Sequence, residues 1–182
     1  IGVSEWTAEQ ITRGAALARE LNVPLIASQP QYSMLWRIIE SDVIPTCQRE
    51  GLGQVVWSPL AQGILTGKYL PGKSLPTNSR ANSPAGKPFF KNLAQRWMSN
   101  NILEAIQKLK PVAQQADLTL AQLAIAWVLQ NQNVSAAIIG ASSPEQVKEN
   151  ALASEVKLET EIMKQIDEIL GDLVEYDQSK TG

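Results

Sequence analysis

Residues 136–140 read Ala-Ala-Ile-Ile-Gly, and residues 143–146 just after them read Ser-Pro-Glu-Gln. The first is a short apolar run of strand length. The second has Ser at the cap, Pro at the first helical position and Gln three residues after the cap, a strong helix-start signal. Similar steps recur along the chain. Residues 1–4 are an apolar run, and Thr7-Ala8-Glu9-Gln10 has the capping-box form ahead of Ile11, Ala15, Ala18 and Leu21 at helical spacing. Residues 24–27 (Pro-Leu-Ile-Ala) form a buried-strand candidate leading into polar Ser28-Gln29-Pro30-Gln31-Tyr32. Ser41 can cap a helix running to about Glu50, with Pro45 early enough to be tolerated and Gly51 as a left-handed stop. Gln54-Val55-Val56-Trp57 is a third strand.

The fourth unit comes late. Residues 61–100 hold most of the prolines and a Ser/Asn/Gly-rich stretch at 74–88, which reads as a long loop of the lid or binding kind. Residues 102–116 are amphipathic, with a kink or helix entry expected at Pro111. Thr119-Leu120-Ala121-Gln122 is another capping box, and residues 160–170 make a last amphipathic helix ended by Gly171, with a frayed tail after it. Short strands alternating with helices predict parallel strands with covered faces. Four such strands are half of a (β/α)₈ TIM barrel, which takes about 250 residues when complete. The expected architecture is therefore a single α/β half-barrel over residues 1–182.

Composition excludes several classes of function. The chain has 182 residues, 44% hydrophobic and 19% charged, with a net charge of −2, which argues for one folded domain and against disorder. Mild acidity without a Lys/Arg run argues against nucleic-acid or anionic-membrane partners. The single cysteine, Cys47, cannot form an internal disulfide and fits a reducing, cytoplasmic compartment. No apolar run reaches the roughly 18–20 residues of a membrane span, and no signal peptide is visible. There is no histidine, which excludes imidazole chemistry within this chain. The chain opens without Met, inside a strand, and reads as a piece of something larger.

Four stretches at the ends of the expected strands carry a resemblance. They are Gly2-Val3-Ser4-Glu5-Trp6; Gln29-Pro30-Gln31-Tyr32-Ser33; Trp57-Ser58-Pro59-Leu60-Ala61-Gln62-Gly63 through Lys68-Tyr69; and Ile139-Gly140-Ala141-Ser142 through Gln146-Val147-Lys148-Glu149-Asn150. Together they resemble the aldo-keto reductase family over residues 1 to about 170, in the branch of voltage-gated potassium channel beta subunits and their bacterial relatives. The resemblance implies a (β/α)₈ barrel with a nicotinamide cofactor, NADPH ahead of NADH, across the C-terminal face of the strands. This chain would hold strands five to eight. The family's catalytic Asp, Tyr, Lys and His belong to the earlier strands, so the chain alone is expected to be inactive.

The resemblance also assigns cofactor-binding residues. Trp57 matches the aromatic that stacks on the nicotinamide. Alone, a tryptophan ending an apolar strand is more often packing, but the Ser58-Pro59-Leu60 that follows favours the platform. Ser4 and Gln29 match the residues that bind the carboxamide, though isolated polar residues at strand ends usually satisfy loop backbone. Glu5 departs from the Asn of many relatives and is left outside the site. Lys68 and Arg80 match the basic residues that clamp the phosphates; alone, each is a solvated surface charge. Gly140 and Ser142 lead into a helix start suited to phosphate. Gln146, Glu149 and Asn150 match the residues reading the adenosine end; alone, Gln146 is a cap residue and the others are exposed helix. Trp36, Phe89, Phe90 and Trp97 are read as packing ahead of pocket or lid.

Three functions follow: the NADPH-binding half of a reductase, competent only when complemented; a binding protein that holds nucleotide without turnover; or a structural half-barrel. Because a half-barrel has two open sheet edges, the chain is expected to associate, with itself or with a missing N-terminal half, through an interface of order 2,000 Å².

Overall fold

A computed structural model of the chain describes residues 1–180, the side chains of Phe89 and Leu93 excepted. Strands and helices run in the order β1 (Gly2–Val3), α1 (Ala8–Glu20), β2 (Ala27–Ser28), α2 (Val43–Glu50), β3 (Gly53–Trp57), α3 (Lys87–Leu93), α4 (Asn100–Gln115), α5 (Leu120–Leu129), β4 (Val134–Ile138), α6 (Pro144–Ala151) and α7 (Thr160–Leu170). The strands form one parallel sheet in the order β1-β2-β3-β4. Gly2 lies opposite Ala27, Ala27 opposite Gly53 and Gln54 opposite Val134, with an irregularity between Gln54 and Val55. Consecutive strands are neighbours, and parallel pairing requires a crossover between each pair. The chain is an α/β fold of four parallel strands alternating with helices.

Local chemistry sets the helix starts. The Thr7 hydroxyl accepts from the Gln10 amide at 3.3 Å, while Gln10 Oε1 accepts from the Thr7 amide at 2.8 Å. Thr119 and Gln122 repeat that box. The Ser143 hydroxyl caps α6 with Pro144 at its first turn. Gly51, at φ 80°, ends α2 in the left-handed conformation.

Several expectations need correction. The cap of α2 is Asp42, not Ser41, and it makes no side-chain bond. Residues 24–27 are not a buried strand: β2 begins only at Ala27, and Ile26 is 62% exposed. Leu21, expected on the inner face of α1, is exposed. The fourth strand runs over Val134–Ile138 rather than 136–140. Pro111 lies inside a continuous α4 and does not start it. The segment 61–100 carries α3 and short 3₁₀ turns at Ala61–Thr66 and Gln95–Trp97. The tail is pinned rather than frayed at Glu175, whose N–H donates to the Leu35 carbonyl and whose carbonyl accepts from the Arg37 N–H, at 3.0 and 2.9 Å.

The residues group into two bodies. The first, residues 1–59, 128–140 and from 174 onward, holds the sheet with α1 and α2. There Ile11, Ala15 and Ala18 of α1 and Val43, Ile44 and Cys47 of α2 are buried where these helices pack together. The second, residues 60–127 and 141–173, has α4 packed on α7, with Ile106, Leu109, Ile162, Ile166 and Leu170 buried. Each such side chain contributes on the order of 1.5–3 kcal/mol. Trp36, Phe90 and Trp97 are buried, as packing residues should be, and the Phe89 side chain lies outside the described residues.

Candidate functional site

In the first body the site is built at the strand ends. The β1–β2 pairing continues one step beyond the strands, where the Gln29 N–H donates to the Val3 carbonyl at 2.8 Å. The Ser4 hydroxyl donates to the Gln29 carbonyl, also at 2.8 Å. That bond uses the hydroxyl hydrogen and leaves oxygen lone pairs able to accept, while the exposed Gln29 amide offers both donor and acceptor. Trp57, at the end of β3, is tied to the same loop: its N–H donates to the Pro30 carbonyl at 3.0 Å, and its carbonyl accepts from the Tyr32 N–H at 3.2 Å.

Glu5 organises this cluster. One carboxylate oxygen, Oε1, accepts from the Gln31 N–H at 2.6 Å and from the Trp57 indole Nε1–H at 2.8 Å. Glu5 has φ 56°, a left-handed conformation that costs a non-glycine residue roughly 1 kcal/mol or more. Two charge-assisted hydrogen bonds offset that cost. The half-buried indole thus has its N–H engaged, so a ligand meeting Trp57 would meet the ring. Gln31 is 4% exposed and its side-chain nitrogen has no partner, an orphaned amide donor beside Trp57. Glu5, left outside the expected site, is thus bonded directly to the Trp57 side chain. Its partners lie 26 and 52 residues away in sequence, so no local spacing could disclose them.

The turn after β3 has unusual backbone. Ser58, Ala61, Gln62 and Gly63 all have positive φ, at 57°, 46°, 58° and 99°. Buried Pro59 precedes Leu60, whose carbonyl accepts from the N–H groups of Gly63 and Leu65, at 2.9 and 3.2 Å. Those two amides are therefore engaged within the turn.

The second body carries the basic residues. Lys68 is exposed and in no ion pair among the described residues, and its stem runs back over the turn: a Cβ on Gly63 would sit 3.9 Å from Lys68 Cε. The Arg80 guanidinium donates to the Gln62 side-chain carbonyl, anchoring an otherwise solvated cation to that turn. Gly86 makes room for it, since a Cβ there would meet Arg80 Cγ at 2.5 Å. Gln62 is a second residue that spacing did not disclose.

At the start of α6 the Ser142 N–H and hydroxyl both donate to Gln146 Oε1, at 2.8 and 3.1 Å, and the Gln146 N–H donates to the Ser143 hydroxyl at 3.4 Å. These amides too are already partnered. The Glu145 carboxyl is held below its ordinary range by its own backbone N–H and by the Ser143 hydroxyl. Ala141, Ser142, Ser143, Pro144, Val147 and Lys148 line an open hollow beside this turn. The exposed Glu149 lies on α6, its backbone carbonyl accepting from Gln122 Nε2 at 2.9 Å. Asn150 is 8% exposed, which corrects its reading, taken alone, as exposed helix. Gly140 is exposed after β4, in the first body. Among the described residues no cluster of acidic or cysteine side chains could hold a metal, and no helix is long and apolar enough to cross a membrane.

The sequence pattern of the aldo/keto reductase family matches residues 1–171. The chain belongs to this family. It is 43% identical over 158 residues to a probable voltage-gated potassium channel subunit beta of Arabidopsis thaliana, which covers 85% of the chain and 46% of that relative. A putative subunit of the same kind from Schizosaccharomyces pombe is 42% identical over 176 residues, 93% of the chain and 49% of the relative. The L-glyceraldehyde 3-phosphate reductase of Escherichia coli K12 is 34% identical over 174 residues, 94% of the chain and 49% of the relative. The chain spans about half the length of the curated relatives it matches.

Proposed function

We propose that this aldo/keto reductase chain is a C-terminal half-barrel that binds NADPH and serves carbonyl reduction only when completed by an N-terminal half. The observation that carries the reading is the half-buried Trp57 ring at the end of β3, its indole N–H held by Glu5. A platform fixed in this way suits stacking on a nicotinamide ring. Ser4 and Gln29 supply polar atoms for a carboxamide, and Lys68 and the Gln62-anchored Arg80 supply positive charge for phosphates. The open hollow at the start of α6, lined by Ser142, Ser143 and Lys148 among others, suits the adenosine end, with Gln146 and Glu149 on the same helix. When bound, the cofactor supplies the hydride. The chain's own residues hold it, and on this reading the group that protonates the carbonyl belongs to the N-terminal half.

A titration with NADPH, followed by tryptophan fluorescence, tests the reading. Saturable binding near micromolar, worth about 8 kcal/mol, is expected, together with its loss in Trp57→Ala. Absence of saturable binding would overturn it. Aldehyde-dependent NADPH consumption is expected only after addition of the N-terminal half. Exposed apolar side chains next to β1 and β2 (Ile1, Ile26) and on and at the end of α1 (Leu17, Leu21) support association with that half or with a second copy. A stable monomer by light scattering at micromolar concentration would count against this.

A second reading is favoured by the higher identity to the channel beta subunits, 43% against 34% for the reductase. On that reading the chain holds nucleotide without turnover, as a sensor or subunit, and nucleotide would bind while the complemented protein consumed no NADPH with any aldehyde tried.

A further inference from the structure

Glu5 does more at this site than complete a loop. Its Oε1 is shared between the Gln31 N–H and the Trp57 indole N–H, at 2.6 and 2.8 Å, and its backbone is held in the left-handed region to make that contact. A carboxylate on an indole N–H fixes the plane of the ring and places negative charge at its edge. It also polarises the N–H so that the ring face becomes more electron-rich. Both effects favour a cation over a neutral ring at the same distance. The two forms of a nicotinamide cofactor differ in this respect: the oxidised ring is a cation and the reduced ring is neutral.

We propose that Glu5 is a positioning residue for Trp57 whose carboxylate biases the site toward the oxidised dinucleotide. The inference rests on the reading of Trp57 as the nicotinamide platform. In thermodynamic terms, a group that interacts differently with two ligand states shifts the ratio of their affinities by that difference.

Two variants separate charge from geometry. Glu5→Gln keeps the length and a carbonyl acceptor but removes the charge. Glu5→Asn suits a positive φ but is one methylene too short to reach both donors. The dissociation constants of NADP⁺ and NADPH are measured for the 182-residue chain and for both variants, and the Trp57 indole N–H resonance is followed in ¹⁵N-labelled protein. In Glu5→Gln the ratio Kd(NADP⁺)/Kd(NADPH) is expected to rise roughly three- to tenfold, the size of effect one partly hydrated unit charge exerts. In Glu5→Asn the indole resonance moves and both forms bind more weakly. A ratio within twofold of the parent in Glu5→Gln, with both forms bound, overturns the inference while leaving the platform reading intact. If the parent binds neither form, both fall together.

Discussion

Gly67→Ala tests whether the turn carrying Lys68 is set by backbone conformation and by its packing on α5. Gly67 is buried at φ 70°, its N–H donates to the Ile64 carbonyl at 3.1 Å, and its carbonyl accepts from Gln107 Nε2, also at 3.1 Å. Two separable penalties follow. Alanine in the left-handed region costs about 1 kcal/mol. The new methyl would also lie 2.5 Å from Leu120 Cδ1 and 3.3 Å from Lys110 Cε, and overpacking of that kind costs about 1–3 kcal/mol. The single variant should therefore lose roughly 2–4 kcal/mol.

Leu120, 8% exposed, should cost about 2–3 kcal/mol when cut to alanine. Combining the two changes removes the collision and partly refills the cavity, so the double variant should be less destabilised than the sum by about 1–3 kcal/mol. Urea denaturation of the four proteins, with m-values compared, gives that coupling directly. Additivity within about 0.5 kcal/mol would refute the argument that this methyl and this leucine compete for one space.

Two further outcomes are expected. Glu50 is held below its ordinary pKa of 4.5, chiefly by the Arg19 guanidinium, 3.0 Å away across the α1–α2 contact, with help from Arg49. A depressed carboxyl stabilises above its unfolded value and loses that contribution as pH falls through its folded one. Glu50→Gln should therefore lower the urea midpoint at pH 7, by a difference that shrinks as the pH drops below 4.5; an equal difference at pH 3 would exclude the ion pair as its source. Deleting residue 174 onward removes the partners of Leu35 and Arg37, so the Arg37 amide should exchange its hydrogen faster, and unchanged protection would show that the tail does not pin that loop.

Much of the local structure was legible in residue order. The Thr7 and Thr119 boxes, the Ser143-Pro144 start and the left-handed Gly51 each depend on groups within four residues of one another. The strand ends were less so. β2 and β4 were each displaced in the reading, because the edge of a strand is decided by where its neighbour stops pairing. Pro24 and Pro30, which have no N–H to offer, flank a β2 only two residues long.

Sequence alone determined the parallel α/β class, the helix starts at Thr7, Thr119 and Ser143, and the cluster of family motifs at the strand ends. These follow from periodicity, capping chemistry and short runs of particular residues. Tertiary structure alone decided that Glu5 holds the Trp57 indole N–H, that Gln62 anchors Arg80, that Asn150 is buried and that Glu175 holds the tail. The reason is physical. A hydrogen bond between residues 52 apart depends on strand register and on a backbone turned into the left-handed region, and neither leaves a mark on the spacing of neighbouring side chains.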